Sequence, residues 1–202
     1  MNGSRRAFLI GGAATLTGAW IARRSMSADT GAAAPGTAAP GAAAGAAPGA
    51  AKTVAIEEFS PEGKSLGLRQ VAKVVKSEAD WRAQLSPLAF HVARQAGTEY
   101  PFSGEYDKNH ALGIYHCVCC DTALYDSRTK FDSGTGWPSF YQAISRHNVA
   151  QGEDTSLGML RDAVSCARCD AHLGHVFDDG PKPTGLRYCM NSVSLRFLPH
   201  PA

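Results

Sequence analysis

The alternation of apolar and polar positions changes character along the chain, and each change predicts a different kind of element. Residues 7–22, "AFLIGGAATLTGAWIA", form an uncharged, mildly apolar run rich in Gly and Ala. It is shorter than the ~20 apolar residues that span a bilayer. Residues 31–51 contain only Gly, Ala, Pro and Thr. With no large side chain to bury, nothing offsets the entropy of ordering them, and the stretch reads as a flexible linker. From Lys76 the period turns helical. "KSEADWRAQLSPLAFHVARQAG" opens on Ser77 as an N-cap, is divided by Pro87 and stops at Gly97. This predicts two short helices, over 78–85 and 87–96. From Tyr115 onward, short runs rich in Tyr, Val, Phe and Leu alternate with Gly, Asp, Ser and Pro, which predicts a mostly antiparallel β domain. In "NSVSLRFL", Val193, Leu195 and Phe197 alternate with Ser192, Ser194 and Arg196, predicting a strand with one buried face.

The organisation that follows is an N-terminal segment over 1–28, a linker over 29–52 and one domain over 53–202, its core about 76–199. Across 202 residues the formal net charge is only +2, which is no footprint for nucleic acid or an anionic membrane. The first segment opens with Ser4-Arg5-Arg6 followed by Phe8 and Leu9. It resembles a twin-arginine export signal, and so implies the twin-arginine translocase and a periplasmic or otherwise exported protein. "MSA" at 26–28 is a loose cleavage site, and Arg23 and Arg24 leave retention as an N-terminal anchor open.

"HCVCCDTAL" and "SCARCDAHL" repeat one pattern, C-x-x-C-D-x-x-L. Each C-x-x-C turn aims two sulfurs at one point. Two such turns supply the tetrahedral thiolate set of a structural zinc ion, here Cys117, Cys120, Cys166 and Cys169. Asp121 and Asp170 follow the second cysteine of each turn, where a positive φ is often needed and Asp tolerates it. Disulfides are the alternative in an oxidising compartment. A thiol–disulfide oxidoreductase using these pairs, or a non-catalytic zinc-binding module, would account for the knuckles alone.

Two cysteines remain. Cys119 lies inside the first knuckle and reads as a spare thiol on a turn. Cys189 lies in "GLRYCMN", where a strand would project Arg187, Cys189 and Asn191 on one face. A guanidinium beside a thiol lowers its pKa and raises its thiolate fraction. "AHLGHVFDDGP" supplies His172, His175, Asp178 and Asp179 directly after the second knuckle. A thiolate with an adjacent imidazole is the make-up of a nucleophilic or redox site. Trp137, on the turn-rich stretch "KFDSGTGWPSF", is either a core anchor or the apolar wall of a pocket.

Taken in order, "GTEYPFSGEY", the two knuckles, "KFDSGTGWPSF", "HLGHVFDDGP" and "GLRYCMNSVSLRF" resemble the methionine-R-sulfoxide reductases, the MsrB family, over about Trp81 to Leu198. The resemblance implies two antiparallel sheets of the Mss4-like or β-tent kind, with a structural zinc away from the active site. It implies reduction of the R epimer of methionine sulfoxide in proteins. Cys189 would be the nucleophile, His175 the donor to the sulfoxide oxygen, and Asn191 and His172 positioning groups. Asp179 and Arg187 would tune the electrostatics, and Trp137 would pack on the substrate methyl. Many members carry a resolving cysteine where this chain has Thr135. An external thioredoxin-like or glutaredoxin-like reductant is therefore expected, with Cys119 or a small thiol as the other routes. A monomer is expected.

Overall fold

The computed structural model describes residues 52–154 and 161–201. The expected export segment, and the linker up to residue 51, lie outside these. Among the described residues no helix is long and apolar enough to cross a membrane.

The described chain opens with a hairpin that the residue pattern did not predict, β1 (Thr53–Phe59) with β2 (Ser65–Ala72). Two helices follow, α1 (Glu78–Gln84) and α2 (Pro87–Gln95), close to their expected bounds. Ser77 caps α1 by accepting from the Asp80 N–H, and the Asp80 carboxylate accepts from Ser77 N–H in return. Ser86 caps α2, whose Pro87 stands at the first turn, where its missing N–H costs nothing. The helix stops at Ala96, which takes the left-handed conformation at φ 53°, one residue before the expected glycine.

The remaining strands are β3 (Gly113–Cys117), β4 (Ala123–Asp126), β5 (Lys130–Phe131), β6 (Ser139–Phe140), β7 (Val149–Asp154), β8 (Arg161–Cys166), β9 (His172–Phe177), β10 (Arg187–Met190) and β11 (Leu195–Pro199). All pairings are antiparallel. They build a six-stranded sheet in the order β5-β6-β10-β9-β8-β7 and a three-stranded sheet in the order β11-β3-β4. The fold is thus mainly β, as expected, with the hairpin added.

The core lies where both sheets meet α1 and α2. Tyr125 stacks on Phe140 at 4.5 Å, Tyr115 meets Phe140 edge-on at 5.0 Å, and the Tyr125 hydroxyl donates to Met190 Sδ at 3.1 Å. Leu173 and Met190 are fully buried beneath the cleft described below. Along β10, Tyr188 and Met190 point into this core, so Arg187 and Cys189 face the other way.

One expectation fails. "NSVSLRFL" is not a continuous strand: Ser192–Ser194 is a 3-10 turn and β11 begins only at Leu195. Ser192 and Ser194, assigned to the solvent face by the alternation, are buried. The cause is a buried carboxylate far away in sequence. Glu99 accepts the Ser192 N–H at 2.7 Å and the Val193 N–H at 3.0 Å, pulling the backbone out of the sheet.

Candidate functional site

The two knuckles are built alike. In the first, Asp121 N–H donates to Cys117 O at 2.9 Å and Cys117 N–H to Thr122 O at 2.8 Å. In the second, Asp170 N–H donates to Cys166 O and Cys166 N–H to Ala171 O, both at 2.9 Å. Asp121 and Asp170 take φ 63° and 57°, the left-handed conformation expected from their place in the pattern. Arg94 caps the Cys169 carbonyl and Gln84 the Cys119 carbonyl, each at 2.8 Å, so the helices lock the turns from outside.

The four sulfurs of Cys117, Cys120, Cys166 and Cys169 lie within 4.8 Å of one another, with Cys117–Cys169 at 3.6 Å and Cys120–Cys166 at 3.5 Å. A tetrahedron of thiolates at ~2.3 Å from zinc has S–S edges near 3.8 Å, so the donor set fits that ion. Hydrogen bonds from Cys117 and then Cys166 hold Cys120 below the usual thiol range, while Cys117 is pushed above it by Cys119 and Cys120. Thiols that ionise at their neighbours' expense are what a divalent cation would stabilise. Cys119 is buried in the core beside these ligands and does not line the cleft.

The cleft, of about 120 Å³, is lined by Thr98, Trp137, Gly174, His175, Phe177, Cys189, Met190 and Asn191. Cys189 sits on β10 between two neighbours, directly opposite His175 of β9 and Ser139 of β6. His172 reaches the same face by a bulge. Two residues apart on β9 would share a face, and His172 and His175 are three apart. The register passes from Ser165↔His172 to Val164↔Gly174, leaving Leu173 as an extra residue. The two imidazoles consequently meet at 5.2 Å. The Leu173 carbonyl, freed from the ladder, accepts both the main-chain N–H of Asn191 at 2.8 Å and its carboxamide N–H at 3.1 Å. Gly174 permits the close approach: a Cβ there would lie 2.1 Å from the Cys189 carbonyl oxygen.

A second set of bonds ties the cleft's rim to its floor. Asn191 Oδ1 accepts the Glu99 N–H at 3.0 Å, and the Glu99 carbonyl accepts Trp137 Nε1–H at 3.3 Å. Phe102 N–H donates to Gly136 O at 2.8 Å, with Phe102 itself at φ 62°. Glu99, 2% exposed, therefore organises Asn191, Trp137 and the 3-10 turn together. The sequence reading missed it. The signal was an acidic residue inside "GTEYPFSGEY", with nothing local to say what it binds.

Arg187 and Asp179 stand beside the cleft. Arg187 forms a two-pronged pair with Asp179, both contacts at 2.8 Å, and lies over the Phe177 ring at 4.3 Å. The pair holds the Asp179 carboxyl low and the Arg187 guanidinium high. The Cys189 thiol departs from the sequence expectation. Burial pushes it above its ordinary range, and Thr135 and then Arg187 pull it only part of the way back. Desolvation disfavours the thiolate more than the nearby cation favours it.

The described chain thus gathers Cys189, His175, Asn191 and Trp137 around one cleft, with His172, Arg187 and Asp179 next to it. A family pattern described as the SelR domain matches residues 85–199. A peptide methionine sulfoxide reductase MsrB of Pseudomonas entomophila is 57% identical over 127 residues, covering 63% of this chain and 97% of that protein. A protein of the same name from Thioalkalivibrio sulfidiphilus is 62% identical over 116 residues, covering 57% and 85%. One from Pseudomonas putida strain W619 is 58% identical over 127 residues, covering 63% and 96%.

Proposed function

The chain belongs to the SelR-domain, or MsrB, family of peptide methionine sulfoxide reductases, and we propose that its Cys189 thiolate carries out the reduction, on the R epimer, in this cleft. The enzyme reduces methionine sulfoxide to methionine. The sulfoxide sulfur is electrophilic and its oxygen leaves only if protonated. Cys189 Sγ attacks that sulfur, the sulfur–oxygen bond breaks, and the oxygen ends on Cys189 as a sulfenic acid while methionine departs. Two external thiol equivalents then return Cys189 to its thiol, with release of water and formation of their disulfide.

His175, opposite Cys189, supplies the proton to the oxygen. Asn191 and His172 position the sulfoxide, and Trp137 packs on its methyl group. The Asp179–Arg187 pair steadies the charge on sulfur. Separate places for methyl and oxygen give the stereochemical choice. Zinc on Cys117, Cys120, Cys166 and Cys169 would brace the fold and take no part in the chemistry. Thr135 in the usual resolving position, and Cys119 buried in the knuckle, support a thioredoxin-like or glutaredoxin-like reductant acting directly on Cys189. The "SRRAFL" motif supports export through the twin-arginine translocase to the periplasm, where a monomer would work on oxidised proteins.

The observation that carries the reading is Cys189 on the cleft floor with His175 as its cross-strand partner. Dithiothreitol-driven turnover of separated R and S epimers of a methionine-sulfoxide peptide tests it. Turnover of R alone, lost in Cys189→Ser, is expected. Inert behaviour of a folded, zinc-loaded sample toward both epimers overturns it.

A further inference from the structure

Cys189 stands at one end of a file of hydroxyls. Thr135 Oγ1 is 3.7 Å from Cys189 Sγ, Ser133 Oγ is 2.8 Å from Thr135 Oγ1, and Ser139 Oγ is 2.7 Å from Ser133 Oγ. The far end is fixed, because Ser139 Oγ also donates to the Trp137 main-chain carbonyl at 3.2 Å. Ser139 is completely buried and lies opposite Cys189 across β6 and β10.

Each hydroxyl has one hydrogen to give and lone pairs to receive, whereas a carbonyl only receives. Two consistent arrangements follow. In the first, Cys189 S–H donates to Thr135, Thr135 to Ser133, Ser133 to Ser139 and Ser139 to the carbonyl, which suits the neutral thiol. In the second, every hydroxyl turns: Ser139 donates to Ser133, Ser133 to Thr135 and Thr135 to the sulfur anion. This suits the thiolate, and it gives up only the Ser139–Trp137 contact, the longest oxygen–oxygen contact of the file. The carbonyl end cannot carry a proton onward, so the file rotates rather than conducts. The thiol proton leaves on the cleft side.

We propose that Thr135, backed by Ser133 and Ser139, is a reversible hydrogen-bond file that satisfies Cys189 as thiol and as thiolate, and that this is the use made of the position where a resolving cysteine is absent. Thr135 touches the reacting sulfur and is a catalytic residue in that sense; Ser133 is a positioning residue, and Ser139 supports the sulfur both directly and through the file. Other groups also face Cys189: Arg187 on its own strand, paired to Asp179, and His175 on β9, with His172 against it. Glu99 turns its carboxylate to the Ser192 and Val193 amides. None of these groups is changed by the substitutions below. The inference rests on the reading of Cys189 as the nucleophile.

The test is the pH dependence of Cys189 alkylation by iodoacetamide in the zinc-loaded protein, read by peptide mass spectrometry. It needs neither substrate nor reductant, so it is separable from the turnover assay. Thr135→Val, nearly the same shape without the hydroxyl, should move the midpoint to higher pH and slow alkylation at pH 7 by about tenfold, the scale of one hydrogen bond to a charged group. Thr135→Ser should stay within about twofold of the wild type, because the hydroxyl is kept. Ser139→Ala should show roughly a threefold slowing, because the Ser139 hydroxyl favours the thiolate both directly and through the file. A Thr135→Val profile superimposable on the wild type overturns the proposal. So does an equal shift in Thr135→Ser, which would assign the effect to shape. An alkylation shift with no sulfoxide turnover would leave the file standing and remove the reductase reading.

Discussion

The knuckles and the cleft both depend on cysteine, yet they are assembled by opposite means. Each knuckle is a local object. Six consecutive residues, Cys117 to Thr122 or Cys166 to Ala171, close on themselves through two backbone bonds and one left-handed Asp. The cleft has almost no local structure of its own. Cys189 comes from β10, His175 from β9, and Trp137 and Thr98 from two loops, and no two of these are close in sequence. The knuckles connect the two regions: the second feeds directly into β9, so the turn that would hold zinc also sets where His172 begins its strand. A site made of local turns tolerates change elsewhere, while a site made of strand register inherits every error in the register.

That contrast is broken most forcefully by exchanging one cysteine from each region. Cys166→Ser should lose the metal and most of the native state, since structural zinc contributes roughly 10–16 kcal/mol of apparent binding free energy to small domains. Zinc content and thermal melting measure it, and a chelator should reproduce it in the wild type. Cys189→Ser should melt within about 2 °C of the wild type and retain zinc, yet turn over at least about 10³-fold more slowly. If both variants unfold alike, the separation of brace from reaction centre is wrong.

A smaller blow aims at the register itself. Gly174→Ala places a methyl against the Cys189 carbonyl, and the strands must part to admit it. Overpacking of this kind costs about 1–3 kcal/mol, and it should slow turnover by more than tenfold because the reacting sulfur moves with its strand. A variant crystal structure with β9 and β10 unshifted would contradict it.

The same contrast explains what could be read from the residues alone. The four-cysteine cluster, the left-handed Asp pair, both helices and the face shared by Arg187 and Cys189 all follow from patterns a few residues long. The bulge at Leu173 does not. "HLGH" says nothing of an extra residue until β8 is laid beside it, and without the bulge His172 and His175 would point to opposite faces. Nor do the buried Ser192 and Ser194 follow, because the carboxylate that turns their backbone belongs to Glu99, 93 residues from Ser192. The direction of the Cys189 shift is not legible in the residues for a related reason. Arg187 is visible in the sequence, but the burial that outweighs it is a property of the packed cleft.

Glu99→Gln sharpens the comparison from the rim. The amide can accept one of the two backbone N–H groups but presents N–H to the other, leaving a buried donor unmet at a cost of about 1–3 kcal/mol. Because Glu99 reaches both Asn191 and Trp137, the loss should appear as a several-fold rise in KM for a sulfoxide peptide with zinc content unchanged. An unchanged KM beside a lowered Tm would reduce Glu99 to a purely structural clamp.

The smallest expected effect is on the electrostatics of sulfur. Burial holds the Cys189 thiol above its ordinary range, so turnover should climb as pH rises and the thiolate fills. Arg187 opposes burial, and removing it leaves less to stabilise the anion. Arg187→Met keeps the apolar stem over Phe177 and discards the charge. Its rising limb should lie at higher pH than that of the wild type, with roughly threefold slower turnover at pH 7 and recovery toward the wild-type rate in alkali. Asp179→Asn acts in the opposite sense on the same charge. It frees the guanidinium from its carboxylate, leaves more positive potential for the sulfur, and should bring the limb to slightly lower pH unless the Arg187 side chain swings away once unpinned. The paired experiment separates these outcomes: opposite displacements of the two limbs identify the charge as the agent, whereas displacement of both to higher pH identifies the position in which Asp179 holds Arg187.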